Sequence, residues 1–150
     1  MVLFSLANCA HFDNLRYITS MDIQVHRDTY GIPHIEAQSE MDAWYAMGYT
    51  SAQDRLWQME WYRRRGTGRW SEVVGADGLE ADRLFRRFRL DEASIIDEAA
   101  LTAETRAMFQ RYSDGVNAFV MENDLAPEYG LTGTAWEQWE NWHSILVFKV

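Results

Sequence analysis

A long apolar stripe between residues 39 and 66 most constrains the fold of this chain. Apolar or small residues recur there at spacings of three and four, which indicates the buried face of an amphipathic helix of about six turns. Ser39 and Asp42 have the spacing of a capping box that begins a helix, and Gly66 and Gly68 suit its end. The stripe consists of Met41, Tyr45, Gly48, Ala52, Leu56, Met59 and Tyr62.

The middle of this stripe is shallow. Gly48 and Ala52 carry almost no side chain, so another backbone is expected to approach the helix closely at this point. Separately, Thr102 is a cap residue that begins a further predicted helix, which extends to a stop around Asn123 and Pro127. Its apolar positions are Met108, Tyr112, Val116, Phe119 and Val120.

Ahead of the long helix, a two-residue alternation predicts a β-hairpin. Ile23 and Val25 have two-residue spacing in the first predicted strand, Ile35 and Ala37 have it in the second, and a turn at residues 28–33 joins the two strands. Within this turn, Gly31 supplies a positive φ and Pro33 fixes its own φ, which gives the chain reversal a mechanism.

Two further helical segments are predicted downstream. An arginine-rich amphipathic stretch runs from Leu79 to Leu90 after a turn at residues 75–78. Thr134 and Glu137 have the spacing of another cap and predict a last helix through Trp139 to Lys149.

Length and composition describe one ordinary folded domain. The chain has 150 residues, is 47% hydrophobic, and contains a single cysteine, Cys9. One cysteine forms neither an intramolecular disulfide nor a cysteine-based zinc site. No apolar run approaches the roughly 18 residues that a membrane-spanning helix needs, so no membrane partner is expected.

The charge is unevenly distributed. The net charge is −9, yet residues 55–89 carry nine bases against five acids. An acidic chain loses the long-range attraction on which nucleic-acid binding depends, so no nucleic-acid partner is expected. The basic segment still supports one alternative hypothesis, a non-catalytic helical binding module that uses residues 55–89 to hold an anionic partner.

The densest polar cluster lies on the long helix. Glu60 precedes Arg63 and Arg64 by three and four residues, which are the spacings of helical ion pairs. This pattern favours a partly buried, ion-paired face whose arginines tie the helix to neighbouring segments. A phosphate or carboxylate ligand on residues 63–69 is the alternative.

Motifs for nucleophilic, phosphate-binding or metal chemistry are missing from the sequence. His34 and Glu36 share one strand face and His26 lies on the partner strand, but His34 is better interpreted as a hydrogen-bonded turn residue than as a metal ligand. We therefore assign no catalytic, cofactor-binding or metal-binding residue.

Five segments, taken in order, closely resemble the N-terminal part of the penicillin acylase family. Single segments are weak signals, but matches in this order across residues 22–148 are specific. The segments are VHRDTYGIPHIEAQS (25–39), AMGYTSAQDRLWQMEWYRRRGTGRWSEVVG (46–75), ADRLFRR (81–87), RYSDGVNAFV (111–120) and PEY (127–129), the last followed by a predicted helix start centred on Trp136.

The resemblance implies an α+β fold. The complete protein would be an N-terminal nucleophile hydrolase with an αββα sandwich, and this piece would be mostly α-helical with an N-terminal β-hairpin. The implied enzyme is a penicillin-amidase-type hydrolase, active in antibiotic metabolism, that cleaves the acyl amide bond of penicillins, acyl-homoserine lactones or related N-acyl substrates. Self-cleavage would yield a small α chain and a large β chain, and the first residue of the β chain would be the nucleophile, with its own α-amino group as base.

Transferred residue by residue, the resemblance implies that this chain is scaffold. The nucleophile and the oxyanion asparagine belong to the β chain, which is the implied partner together with a small N-acyl amide substrate. The chain alone is therefore expected to be inactive and to bind no cofactor. The resemblance is compatible with a calcium ion in the full-length protein. The residues at motif positions are interpreted as structural polar anchors that join strand, helix and β chain: His34, Asp54, Arg55, Gln58 and Glu60.

The two ends of the chain also carry predictions. Residues 1–20 are expected to be a poorly ordered leader, and residues 21–150 an incomplete α-chain region whose last helix stops at Val150 without a cap. The family is usually exported to the periplasm or beyond, but the leader has no positive residue before its short apolar run and makes a poor signal peptide. Localisation is therefore left open.

Overall fold

An antiparallel sheet of three strands opens the described part of the chain, which in this computed structural model comprises residues 16–18 and 23–150. The strands are β1 (Arg16–Ile18), β2 (Ile23–Arg27) and β3 (Pro33–Glu36), with β2 in the centre. The predicted hairpin is confirmed as β2 and β3. Apart from β1, the predicted leader lies outside the described residues.

The turn between β2 and β3 is closed by one aspartate. Asp28 accepts hydrogen bonds on Oδ1 from the backbone N–H groups of Tyr30 and Ile32, each at 2.9 Å. Gly31 has a φ of +80°, the left-handed conformation that glycine adopts without steric cost. Its N–H donates to the Asp28 carbonyl at 2.9 Å, so the sequence fixes this reversal locally.

Helices make up most of the remaining described residues. The predicted arginine-rich stretch forms one helix, whereas the following segment forms a second helix that the apolar pattern did not predict. None of these helices is both long and apolar enough to cross a membrane. Their bounds are α1 (Glu40–Gly66), α2 (Ser71–Val74), a 3₁₀ helix (Gly75–Gly78), α3 (Leu79–Phe88), α4 (Leu90–Ala100), α5 (Ala103–Glu122), α6 (Pro127–Thr132) and α7 (Asn141–Lys149).

The predicted caps of α1 and α5 are present. The Asp42 N–H donates to Ser39 Oγ at 3.2 Å, and the Thr105 N–H donates to Thr102 Oγ1 at 3.2 Å. These bonds satisfy amide groups that lack a partner at a helix start. Thr67 ends α1 with its N–H on the Arg63 carbonyl, next to the predicted glycines.

Helices α1 and α5 pack against each other through glycines. A Cβ added to Gly48 would lie 2.0 Å from the Tyr112 carbonyl oxygen, and one added to Gly115 would lie 2.0 Å from the Tyr45 carbonyl oxygen. The close backbone approach predicted at Gly48 is therefore confirmed, and Gly115 is its counterpart on α5.

Two apolar clusters flank this crossing. One joins the sheet to the start of α1 through Ile23, Val25, Tyr45 and Ala46. The larger one joins α1, α5, α6 and the segment before α7, and its buried members are Ala52, Leu56, Met59, Val116, Phe119, Tyr129 and Trp139. The predicted stripe on α1 thus supplies buried residues to both clusters.

The prediction for the last helix is wrong at its start. Residues 134–140 are not helical, and α7 begins at Asn141 with Glu140 as its N-cap. Side chains hold the backbone there: Asn117 Oδ1 accepts from the Trp139 N–H at 2.8 Å, and Asn117 Nδ2 donates to the Trp139 carbonyl at 2.9 Å. Backbone N–H and C=O groups that are bonded to a side chain in this way do not form the hydrogen bonds of a helix.

We expect Gly48→Ala to destabilise the chain by about 3 kcal/mol, because the added Cβ meets backbone that has no room to move. Urea unfolding followed by circular dichroism measures this change. The matched control is Gly130→Ala, in α6, where an added Cβ meets nothing within 4 Å. Equal stability of the two variants would contradict the close packing of α1 and α5.

Candidate functional site

Arg27 joins the hairpin to helix α1. Its guanidinium contacts both carboxylate oxygens of Asp54, with Nη2 to Oδ1 at 2.6 Å and Nη1 to Oδ2 at 3.0 Å. It also donates to Gln53 Oε1 at 2.9 Å and to the Gly31 carbonyl at 2.8 Å. Planar bidentate pairing of this kind is geometrically specific. The R-D-x-Y-G segment of the hairpin and the A-Q-D-R segment of α1 are therefore held together by one side chain.

His34 lies in the same hairpin. Its Nε2 is 3.4 Å from Asp28 Oδ2, and its ring stacks on that of His26 with centroids 4.9 Å apart. The backbone N–H of Ile32 is the main cause that lowers the pKa of Asp28, so the turn keeps an ionised carboxylate. The structure therefore corrects the prediction of a turn residue: His34 lies on β3 opposite His26, and its ring contacts Asp28 of the turn.

The end of α1 contains a buried charge cluster centred on Glu60. Glu60 is fully buried and accepts hydrogen bonds from Arg63 Nη2 and from Arg64 Nε, the latter at 2.5 Å. The Arg63 guanidinium also donates to the Glu137 carbonyl at 2.8 Å and lies 5.3 Å from the ring centroid of Trp136. The predicted ion-paired face of α1 is therefore present, and Arg63 connects it to the segment before α7.

Two further carboxylates extend this cluster to the surface. Arg64 Nη1 donates to Glu72 at 2.5 Å, and Arg69 donates to Glu137 Oε1 at 2.6 Å and Oε2 at 2.8 Å. The hydrogen bond from Arg69 is the main cause that lowers the pKa of Glu137 to about 2. We call the set Glu60, Arg63, Arg64, Arg69, Glu72 and Glu137 the arginine network.

His143 lies beside the arginine network as a neutral ring. Its Nδ1 accepts a hydrogen bond from the Glu140 N–H at 2.8 Å, and the ring lies against Trp142 with centroids 4.0 Å apart. Burial, reinforced by the charge of Arg63, lowers its pKa to about 3. At neutral pH this histidine therefore caps α7 as an acceptor and carries no charge.

An open groove of about 550 Å³ runs along α1 between β3 and α7. Helix α1 is kinked beside it, because Arg55 has φ −140° and ψ 22° inside an otherwise helical segment. The kink directly follows Asp54, whose carboxylate is held by Arg27. The groove is lined by Pro33, Ile35, Met47, Thr50, Ser51, Asp54, Arg55, Gln58, Met59, Tyr62, Tyr112 and Val147.

The candidate residues separate into three places. Asp54, Arg55 and Gln58 line the groove, Glu60 is the centre of the arginine network, and His34 lies on β3 beside the hairpin turn. Within residues 23–150 and β1, no three His, Cys, Asp or Glu side chains are close enough to share a metal ion.

Sequence reasoning missed Arg27, Glu137 and His143. Arg27 is part of the R-D-x-Y-G segment, and that position was its only signal. Glu137 was interpreted as a cap residue, but its carboxylate is bound by Arg69. The cap of α7 is instead formed by Glu140 and His143, a pair that the usual S/T-x-x-E pattern does not include.

Exposed apolar residues occur on several elements of the described chain. None of the seven tryptophans is among the exposed large apolar residues. The apolar residues that are exposed include a group on α3 and α4: Leu79, Leu84, Phe88, Ile95 and Ile96.

Comparison with known proteins finds a family that matches most of the chain. Residues 22–150 match the family described as penicillin amidase. The chain is 47% identical to the penicillin acylase 2 proenzyme of Pseudomonas sp. strain SE83 over 87% of its own length and 17% of that protein. It is 37% identical to the penicillin G acylase of Escherichia coli, covering 81% of the chain and 16% of that protein.

A solved structure is similar as well. The chain superposes on a chain of the thermostable penicillin G acylase from Alcaligenes faecalis with a TM-score of 0.76 and 29% identity. The match covers 86% of this chain and 71% of that one. An acyl-homoserine lactone acylase QuiP of Pseudomonas fluorescens is 34% identical over 86% of the chain and 16% of its own length.

Removal of the charge on Glu60 tests the arginine network. We expect Glu60→Gln to lower the free energy of unfolding by about 3 kcal/mol or more, because two buried guanidinium groups lose their shared anion. Chemical denaturation followed by tryptophan fluorescence measures it. Glu92→Gln is the control, since Glu92 pairs with Arg89 at the exposed surface and its loss is expected to leave the midpoint unchanged. A Glu60 variant as stable as the control would contradict a structural role for the network.

The neutral His143 predicts a pH dependence of stability. The folded pKa of about 3 lies below the ordinary value of 6.5, so between these values the unfolded state binds a proton that the folded state does not. Stability therefore falls as the pH drops from 6.5 towards 3. His143→Asn keeps an acceptor for the Glu140 N–H and removes the titrating ring. We expect it to flatten the plot of unfolding free energy against pH between 6.5 and 4.5, with pH 8 as the baseline, and an unchanged slope would refute the assignment.

Proposed function

The chain belongs to the penicillin amidase family, and we propose that it forms the N-terminal α-chain region of an acylase that hydrolyses the amide bond of an N-acyl substrate. The observation that carries the proposal is the match across residues 22–150, together with the structural similarity to a penicillin G acylase at a TM-score of 0.76. The named relatives act on penicillins or acyl-homoserine lactones, so the proposed substrate class is a small N-acyl amide.

The chain spans only 16–17% of the length of these relatives. In our proposal, the reacting groups are supplied by a β chain cut from the same precursor. The first residue of that chain, a serine or equivalent, attacks the amide carbonyl with its side chain, and its own α-amino group accepts the proton of the attacking group. Amide groups of the β chain would stabilise the resulting oxyanion. Residues 1–150 would then be inactive alone.

The proposed contribution of this chain is positioning. The Arg27–Asp54 pair and the arginine network hold the sheet, α1 and the segment before α7 in one arrangement. Buried serines are engaged in the same framework: Ser113 Oγ donates to Asn141 at 2.9 Å, and Ser144 Oγ accepts from Trp139 Nε1 at 3.0 Å. These contacts support a scaffold role for the two serines, because a catalytic serine needs a hydroxyl group that can reach the substrate.

The alternative, an anion-binding module based on residues 55–89, is less well supported. Arg63, Arg64 and Arg69, the arginines of its centre, are bound to Glu60, Glu72 and Glu137. Their charges are compensated within the chain, so the segment offers an anionic partner less than its composition suggests.

A chimera tests the proposed function. Residues 1–150 replace the matching N-terminal region of the Pseudomonas sp. SE83 proenzyme, and both the chimera and the isolated chain are assayed against a penicillin and an acyl-homoserine lactone. We expect the chimera to be processed into two chains, visible by gel electrophoresis, and to release amine from at least one substrate that the SE83 enzyme cleaves. The isolated chain is expected to hydrolyse neither above the buffer rate.

The SE83 proenzyme itself is the control in the same assay. Hydrolysis by the isolated chain would disprove its proposed dependence on a β chain. A chimera that is unprocessed or inactive beside an active control would refute the assignment of these residues as an acylase α-chain region.

A further inference from the structure

Strand β3 presents an open edge. It is the outer strand of the sheet in the described residues, since β2 pairs with β1 on one side and with β3 on the other. The Asp28 N–H donates to the Ile32 carbonyl at 3.1 Å, so these two residues face each other as a hydrogen-bonded pair and the next pair, Arg27 opposite Pro33, is non-hydrogen-bonded. Pairs alternate along an antiparallel ladder, and Ile35 opposite Val25 is therefore also non-hydrogen-bonded. The N–H and C=O groups of Ile35 consequently point away from β2, towards the open edge.

This edge borders the groove. Pro33 and Ile35 of β3 form one wall of it, and α1 lines it from Met47 to Tyr62. That part of α1 is roughly 22 Å long at about 1.5 Å per residue. A strand placed about 4.8 Å beyond β3 would lie over the groove, and six or seven residues at about 3.4 Å each would fill its length. Every second side chain of such a strand would point down between β3 and α1.

Most residues that line the groove are apolar, but one of them, Arg55, carries a positive charge. Arg55, at the kink of α1, is exposed and has no hydrogen bond or ion pair within the described residues. The neighbouring Asp54 does not compensate it, because both of its carboxylate oxygens are bound by Arg27. A polypeptide that fits this groove therefore carries apolar side chains and one carboxylate that pairs with Arg55.

We propose that an extended segment of the acylase polypeptide that follows these 150 residues adds to β3 as a fourth strand, fills the groove with apolar side chains and places a carboxylate on Arg55. This inference rests on the proposed function. More than four-fifths of each named relative lies outside its match to this chain, so the polypeptide needed to supply the strand exists in those proteins. Strand addition to an open edge is a common way in which one polypeptide segment binds another.

Amide hydrogen exchange at Ile35 tests this strand pairing directly. In the SE83 chimera described above, the Ile35 N–H would donate to the added strand, whereas in the isolated 150-residue chain it faces solvent. We expect exchange at Ile35 to be slower by about tenfold or more in the chimera. Arg55→Gln is expected to speed this exchange in the chimera by about tenfold, because a charge-assisted bond is lost, and to leave the stability of the isolated chain unchanged. Arg89→Gln is the control and should change neither, because Arg89 joins α3 to α4, pairs with Glu92 at the surface and does not line the groove.

Each outcome decides the proposal. Exchange at Ile35 that is equally fast in the chimera and the isolated chain overturns it, as does an Arg55→Gln variant that matches Arg89→Gln in the chimera. Protection in the isolated chain that rises with its concentration would mean that a second copy occupies the edge, which also overturns it. An active chimera with unprotected Ile35 refutes the docking alone, whereas a protected but inactive chimera refutes the proposed function alone.

Discussion

The pairing of the buried Glu60 carboxylate with Arg63 and Arg64 is the interaction on which the rest of the structure depends. A fully buried anion is tolerated only with close cationic partners, and Arg63 and Arg64 supply them from the next turn of α1. Both arginines have donors left over. These bind the Glu137 carbonyl and the Glu72 carboxylate, so satisfying one buried charge fixes the positions of α2 and of the segment before α7. Arg69 then closes the network through Glu72 and Glu137.

The arginine network also explains why α1 orients the remaining elements as it does. The C-terminal end of α1 is held by the charges of this network. The middle of α1 lies against α5 at Gly48 and Gly115, and the segment at its kink is bound to the hairpin through Arg27. These three attachments leave one side of α1 uncovered, where the groove lies beside β3. The named relatives are about six times longer than the region they share with this chain, so their remaining polypeptide is long enough to cover such a groove.

Local and periodic features were predictable from the sequence. The hairpin, the Ser39 and Thr102 caps and the pairing of Glu60 with Arg63 and Arg64 all depend on residues within a few positions of one another, and the structure contains each of them. The small residues of the α1 stripe also indicated a close backbone approach at Gly48, but not that Tyr112 of α5 is the residue approached. Other features that depend on distant residues were not predictable. Glu137 fits a cap pattern until Arg69, 68 residues away, binds its carboxylate. The kink at Arg55 has neither proline nor glycine to announce it, and only the contact between Arg27 and Asp54, 27 residues apart, marks the place.

The central claim is that these residues form a preorganised scaffold whose open side receives another part of an acylase. A crystal structure of the processed SE83 chimera measures this most directly. The account predicts that the Arg69–Glu137 and Arg27–Asp54 pairs persist, that residues 134–140 stay non-helical, and that a strand beside β3 carries a carboxylate onto Arg55. A chimera structure with solvent in the groove, or with α7 extended back to Thr134 and the Arg69–Glu137 pair broken, would contradict it.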